Sequence, residues 1–255
     1  MFFAVLKKKS FIIAICLLLA FIVTVSTLSF TGAYRVFYGL SIKKLPIYSV
    51  KTEEKKVAIS FDCAWGVDYT DKLLEIMESE NVKCTFFAVE FWTVKHPEYI
   101  KKISDAGHEI GTHSATHPHM SKLSAKAINK ELMSSVKAIT DITEKKVEVF
   151  RAPFGEYNDT VIEEAEKLGL YTIQWDVDSL DWKDLSAAEI EKRITERVKC
   201  GSIVLFHNQG LHTAEALPKI IKALKNDGYT FVRIGDLIYR EGYSINSLGE
   251  QIKNV

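Results

Sequence analysis

The sequence alternates strand-like and helix-like segments in a regular order from Val57 onward, and this order restricts the fold to the α/β class. Runs of β-branched and aromatic residues predict strands at residues 57–61, 82–89, 108–113, 147–152, 171–177, 202–207 and 229–234. Apolar residues at helical spacing predict helices at residues 68–80, 96–106, 124–140, 158–168, 186–198, 213–226 and 235–240.

Strands that each lead into a helix indicate a parallel sheet. Glycines stand where several of these helices should stop, namely Gly107, Gly169, Gly201 and Gly228. Seven units are many for a small open sheet and approach the eight of a complete barrel. We therefore predict a distorted (β/α) barrel with about seven βα units, and an open doubly wound sheet is the alternative.

The N-terminus differs in character from the rest of the chain. Residues 11–30 (FIIAICLLLAFIVTVSTLSF) contain no charge, and residues 7–9 before them are lysines. Such a segment is long enough to cross a bilayer, and a positive flank stays in the cytoplasm. We predict an N-terminal transmembrane helix that anchors an extracytoplasmic catalytic domain. A cleaved signal peptide, which would give a secreted protein, is the alternative.

These patterns divide the chain into four predicted parts. Residues 1–30 are the anchor or signal sequence, 31–55 a stalk, 56–240 one catalytic domain and 241–255 a C-terminal tail. Lysine plus arginine and aspartate plus glutamate both number 33, and this zero net charge argues against a broad electrostatic nucleic-acid binder. Four cysteines in 255 residues do not form a disulfide scaffold.

Polar residues collect at the ends of the predicted strands. Asp62 and Cys63 follow the first strand, and His113 and Arg151 end the third and fourth. The remaining strand ends carry Asp178, Asp181 and His207. Since barrels and open sheets place their active sites at the carboxyl ends of strands, the positions predict one shared site.

The segment HSATH indicates a metal site. His113 and His117 stand at i and i+4, a spacing that can direct two imidazoles at one ion. A site with two histidines and open positions is typical of catalytic rather than structural zinc. Asp62 could then act as general base on a bound water, held in place and kept ionised by Arg151.

A general acid is the other group that hydrolysis of an amide requires. His207 ends the apolar run IVLFH, opposite the predicted base, and could protonate a leaving amine. Asp178 could bond the second ring nitrogen of His207 and raise the histidine pKa. Trp182 could form a wall of that pocket.

Five segments follow one another along the chain: SFDCAWG, HSATH, RAPFG, DSLDW and LFH. In this order they resemble the motifs of the polysaccharide deacetylases, the NodB-homology domain of carbohydrate esterase family four. The resemblance covers about residues 55–240, and the single-domain anchored layout is similar to the sporulation-type branch. It implies a distorted barrel and metal-dependent removal of acetyl groups from the amino sugars of peptidoglycan or a related cell-wall polysaccharide.

The resemblance also implies residue roles. Asp62 would be the base, Arg151 would orient it, and Asp178 would tune the acid, His207. His113 and His117 would bind a divalent metal, Zn²⁺ or Co²⁺. The backbone N–H of Phe154 would help to hold the oxyanion, and Leu205 and Trp182 would shape the acetyl pocket.

Cys63 departs from the family pattern, which has aspartate at this position as the third metal ligand. Three interpretations stay open: Cys63 binds the metal as a thiolate, two histidines hold it with water or a nearby acid such as Asp68, or the metal is lost. The third would make the chain a catalytically impaired binding protein of the cell wall or spore envelope. A metal phosphoesterase is a further alternative, but few carboxylates are available for a second metal.

Overall fold

A computed structural model describes residues 2–30 and 43–254. The chain divides into two compact units, the second beginning at Lys44. The first contains helix α1 (Phe2–Phe30). Among the described residues, none of the helices combines the length and the apolar character needed to cross a membrane. The transmembrane role predicted for the N-terminal segment is therefore not shown, and residues 31–42 of the predicted stalk lie outside the described part.

The second unit alternates strands and helices as predicted. Its strands are β1 (Ser49–Val50), β2 (Lys56–Cys63), β3 (Thr85–Ala88), β4 (Glu109–Thr112), β5 (Val149–Phe150), β6 (Tyr171–Thr172), β7 (Val177–Asp178), β8 (Ser202–His207), β9 (Thr230–Phe231), β10 (Tyr243–Ile245) and β11 (Glu250–Lys253). Its helices are α2 (Thr70–Ser79), α3 (Glu90–Lys95), α4 (Pro97–Asp105), α5 (Ala125–Thr143), α6 (Asp159–Lys167), α7 (Ala187–Thr195), α8 (Thr213–Asn226) and α9 (Ile234–Leu237).

The sheet curves into an incomplete α/β barrel. Its strand order is β10-β11-β1-β8-β2-β3-β4-β5-β6, with β7 on β8 and β9 on β2. The pairs from β8 through β2 to β6 are parallel. A single bridge between Ile47 and Ile173 connects the segment before β1 to the end of β6. This bridge links the segment that leads into β1 to the edge strand β6 and supports the barrel over the open sheet.

The folded unit extends beyond the predicted domain at both ends. Ser49 of β1 pairs with Glu250 on one side and with Ser202 on the other. The sheet therefore extends into the segments predicted as the stalk (31–55) and the tail (241–255), because β1, β10 and β11 belong to it, and the limits of the domain (56–240) stay a prediction. Short polar segments such as 243–253 give a weak sequence signal, and their pairing depends on distant partners.

Alternate residues of the central strand β2 face two different layers. Ile59, Phe61 and Cys63 belong to the apolar cluster that packs against the helices. Ala58 belongs to the inner cluster of the barrel, which also contains Phe87 from β3. Since successive side chains of a strand point to opposite faces, Asp62 faces the barrel interior and Cys63 faces the helix layer.

Two local predictions differ from the structure. The predicted strand 171–177 is divided into β6 and β7, because the carboxylate of Asp176 accepts hydrogen bonds from the Ile203 N–H and the Ser202 hydroxyl between them. Helix α3 was not predicted, since its six residues (Glu90–Lys95) are too few to show a helical period. The predictions for 202–207 and 213–226 are confirmed.

Candidate active site

A cavity of about 660 Å³ opens at the carboxyl ends of the parallel strands. Eight of the predicted site residues line it, namely Asp62, His113, His117, Phe154, Asp178, Trp182, Leu205 and His207. Arg151 lies behind the cavity wall and is completely buried. The topology thus brings together residues that are far apart in the sequence, as strand-end placement predicted.

Asp62 is a buried carboxylate with one paired oxygen and one oxygen toward the histidines. The Arg151 guanidinium donates from Nη1 to Asp62 Oδ1 at 2.8 Å and stacks on the Phe87 ring, 4.2 Å from its centroid. Burial alone would raise the pKa of Asp62, but the charges of Arg151, His113 and His207 together hold it below its ordinary value. The carboxylate is therefore kept ionised, as a general base requires.

His113 and His117 present two imidazoles to the same side of the cavity. Their ring centroids are 5.0 Å apart. His113 Nδ1 donates to the Arg151 carbonyl at 2.8 Å, and His113 Nε2 lies 3.6 Å from Asp62 Oδ2. Burial lowers the pKa of both histidines, to about 4 for His117. Neutral imidazoles, one of them oriented by a backbone carbonyl, fit a divalent metal.

Cys63 does not join these histidines. Its side chain is completely buried in the helix-facing cluster, does not line the cavity, and burial raises its pKa well above the ordinary value. Among residues 43–254 and the described side chains of α1, no group of three His, Cys, Asp or Glu residues could hold a metal ion. The period of two along β2 turns the Cys63 thiol away from Asp62, which argues against the first of the three interpretations, ligation by Cys63.

His207 is oriented by Asp181, not by the predicted Asp178. His207 Nδ1 donates to Asp181 Oδ1 at 2.8 Å, and the backbone N–H of His207 donates to Asp181 Oδ2 at 2.8 Å. Burial lowers the pKa of His207, but the bond to Asp181 and the nearby carboxylates outweigh it and raise the pKa above its ordinary value. Asp178 lines the cavity and accepts from the Leu180 N–H, which closes a local turn.

Aromatic side chains form the rim of the cavity. Trp65, Phe154 and Trp182 are 63%, 57% and 57% exposed. The centroid of the His117 ring lies 5.0 Å from that of the Trp65 ring and 4.6 Å from that of the Phe154 ring. Phe154 has a φ of +60°, a conformation that few residues other than glycine adopt, in the turn that follows Arg151. Large exposed rings around a cavity that also holds carboxylates and imidazoles suit a ligand with both apolar and hydroxylated faces.

Sequence reasoning assigned no role to two residues that hold the site together. Asp181 is among the predicted strand-end residues, and its role could have been recognised from DSLDW, whose second aspartate directly precedes Trp182 and begins the short helical turn Asp181–Lys183. Glu131 could not have been found from any motif, because it reaches the HSATH segment from helix α5.

Comparisons with known proteins agree with this geometry. The family model described as polysaccharide deacetylase matches residues 49–173. The chain is 32% identical to the uncharacterized protein YlxY of Bacillus subtilis, covering 78% of this chain and 62% of YlxY. It is 34% identical to the peptidoglycan-N-acetylglucosamine deacetylase PgdA of Listeria monocytogenes, covering 77% of this chain but only 41% of PgdA.

Two further relatives are covered over most of their length. The chain is 34% identical to the peptidoglycan-N-acetylmuramic acid deacetylase PdaA of Bacillus subtilis, covering 79% of this chain and 78% of PdaA. Wild-type BA3943 of Bacillus anthracis, described as a CE4 family pseudoenzyme, superposes with a TM-score of 0.74 at 35% identity, covering 76% of this chain and 69% of that one. A BA3943 mutant with restored enzymatic activity is equally similar in fold, with a TM-score of 0.74 at 36% identity, covering 76% of this chain and 71% of that one.

The matched motifs, the barrel and the identity to PdaA over most of both chains agree. The chain belongs to the polysaccharide deacetylase family.

Proposed function

We propose that this protein is a metal-dependent hydrolase that removes N-acetyl groups from amino sugars of a cell-wall polysaccharide. The observation that carries the proposal is the pairing of Asp62 with His207 across the neighbouring strands β2 and β8. A carboxylate kept ionised by Arg151 and an imidazole kept basic by Asp181 therefore lie side by side at one cavity. A base and an acid with opposed pKa shifts are the pair that amide hydrolysis requires.

The roles follow from the free atom of each side chain. Asp62 Oδ1 is occupied by Arg151, so Oδ2 accepts the proton of the attacking water. His207 Nδ1 is occupied by Asp181, so Nε2 donates a proton to the sugar nitrogen as the C–N bond breaks. Water thus supplies the hydroxyl of the acetate, and the sugar leaves as a free amine.

His113 and His117 are the residues that would hold a divalent metal, and Asp62 Oδ2 lies 3.6 Å from His113 Nε2. When bound, such an ion polarises the acetyl carbonyl and lowers the pKa of a water ligand. Leu205 and Trp182 line the cavity and would enclose the acetyl methyl group, and Phe154 lines the same cavity.

The substrate class is supported by the relatives. PgdA and PdaA are named as peptidoglycan deacetylases that differ in the sugar, glucosamine or muramic acid. Since such a polymer lies outside the cytoplasm, we propose an extracytoplasmic catalytic unit. The lysines at 7–9 and the uncharged residues 11–30 support export or anchoring. Protease treatment of intact cells tests this placement, because an extracytoplasmic unit would be cleaved and a cytoplasmic one protected.

Acetate release tests the activity. The full chain is incubated with peptidoglycan and with N-acetylglucosamine oligomers after chelation, and after loading with Zn²⁺ or Co²⁺. We expect release only from loaded protein, and none from Asp62→Asn. Asp105→Asn, which alters an exposed carboxylate paired with Lys101, is the matched control and should keep full activity.

A catalytically impaired wall-binding protein is the second candidate. It is favoured by the orientation of Cys63 toward the helix layer, which leaves His113 and His117 without a third ligand from that position. BA3943, a similar structure, is described as a pseudoenzyme. Retention on peptidoglycan without acetate release, from folded and metal-loaded protein, would establish this candidate and exclude the deacetylase.

A further inference from the structure

The loop that carries the two histidines has an unusual backbone. Ser114 and His117 both have positive φ values, +74° and +56°, although neither is glycine. Residues in this conformation persist where the surrounding structure holds them firmly, and they concentrate at functional sites. Something outside the loop must therefore stabilise this geometry.

Glu131 of helix α5 supplies that stabilisation. Its Oε2 accepts from the backbone N–H groups of Ala115 at 2.9 Å and Thr116 at 2.8 Å. Its Oε1 accepts from the hydroxyl of Thr116 at 2.9 Å. One carboxylate thus binds three donors in the segment between the two histidines. Hydrogen bonds to an ionised acceptor are stronger than those between neutral groups.

A second contact fixes the same helix to the strand before the loop. Ser135 lies one helical turn after Glu131, and its hydroxyl accepts from the Thr112 hydroxyl at 2.7 Å. Thr112 in turn accepts from the Ser114 N–H at 3.2 Å. Because residues four apart lie on the same face of a helix, α5 holds both the end of β4 and the loop after it.

We propose that Glu131 is a positioning residue for metal binding, which sets the separation of the His113 and His117 rings from outside the cavity. Glu131 does not line the cavity, so it acts through the loop backbone. This role rests on the proposed metal-dependent function. Outer-shell partners of metal ligands typically change metal affinity by about 10- to 100-fold when they are removed.

The test compares Glu131→Ala and Glu131→Gln with wild type in the full chain. Asp141→Asn, on the same helix but paired with Lys137 at the surface, is the matched control. Two quantities are measured on each folded protein: the affinity for Co²⁺ by titration, and the hydrogen exchange of the Ala115 and Thr116 amides without metal. The free energy of unfolding, from urea titration, separates positioning from general destabilisation.

We expect Co²⁺ affinity to fall about 10- to 100-fold in Glu131→Ala and less in Glu131→Gln, which keeps one acceptor oxygen. The two amides should exchange faster in Glu131→Ala, and Asp141→Asn should match wild type in both respects. Equal Co²⁺ affinities of wild type and Glu131→Ala, or a loss no larger than that of Asp141→Asn, would overturn the positioning role alone. A wild-type protein that binds no Co²⁺ would overturn the proposed metal dependence together with this role.

Discussion

Replacing Arg151 with methionine would leave the Asp62 carboxylate buried without its counter-charge. Arg151 is 0% and Asp62 is 8% exposed, and their charged atoms lie 2.8 Å apart. At an effective dielectric constant of about 20, their attraction is about 6 kcal/mol at that 2.8 Å separation. Desolvation opposes this attraction, and removal of one partner of a buried pair typically costs about 3–5 kcal/mol. We expect a loss of that size in the free energy of unfolding at pH 7.

The loss of unfolding free energy in Arg151→Met should depend on pH, and the direction of this dependence follows from the pKa of Asp62. In wild type the folded pKa of Asp62 is depressed, so its stabilising contribution is present above the unfolded pKa and is lost as pH falls through the folded value. In Arg151→Met, burial is no longer opposed by the guanidinium and the folded pKa rises. As pH falls, protonation of Asp62 removes the unpaired buried charge and reduces the destabilisation of the variant. The difference in stability between the two proteins should therefore be largest near pH 7 and should narrow in acid.

Urea unfolding of the chelated proteins from pH 7 downward measures this difference. The double variant Asp62→Asn/Arg151→Met should recover most of the loss, because no buried charge is left unpaired. A loss below about 1 kcal/mol at pH 7, or one that does not change with pH, would refute the reasoning that the pair is buried and mutually stabilising.

Three further predictions address the metal, the acid and the sheet. Cys63→Ala should leave Zn²⁺ affinity unchanged, and Co²⁺-loaded wild type should show no thiolate-to-metal absorption; a tenfold loss of affinity would restore Cys63 as a ligand. Asp181→Asn should lower kcat by about 10²- to 10⁴-fold. It should also move the alkaline limb of the pH–rate profile to lower pH, because the hydrogen bond that raises the His207 pKa is lost. An alkaline limb at the wild-type pH would contradict this role of Asp181. Gly201→Ala should destabilise the fold by more than about 1 kcal/mol in urea unfolding, because φ is +78° and a Cβ atom would lie 1.7 Å from the Val50 carbonyl oxygen; unchanged stability would show that β1 is dispensable.

Residues at strand ends were the most predictable part of the site. The parallel order of the strands determines that Asp62, His113 and His207 meet, and hydrophobic alternation reveals that order. The choice between Asp178 and Asp181 was not predictable in this way, because it depends on a turn in which Asp178 bonds the Leu180 N–H and Asp181 reaches His207.

Cys63 shows a different limit. Its position in the motif suggests a metal ligand, whereas its place in the alternation of β2 side chains directs it to the helix layer. Because Asp62 and Cys63 are neighbours on one strand, the sequence alone implies that their side chains face opposite sides of the sheet. The motif pattern instead suggests that both residues belong to the site. The contributions of β1, β10 and β11 were hidden for another reason, because strands of two to four residues carry almost no periodic signal. Membership of the sporulation-type branch stays a prediction.

The position of β1 between β8 and β11 has a consequence for the order of folding. β1 enters the sheet near the start of the compact unit, while its partner β11 lies at the far end. A ribosome therefore releases the first half of this pairing long before the second, and residues 49–50 cannot complete their ladder until Gln251 has emerged. Pairing between the ends of a chain carries a high loop-closure entropy. We expect the central strands to assemble first and the bridge between Ile47 and Ile173 to form last. Amide hydrogen exchange in the native protein should therefore begin at the residues around this bridge.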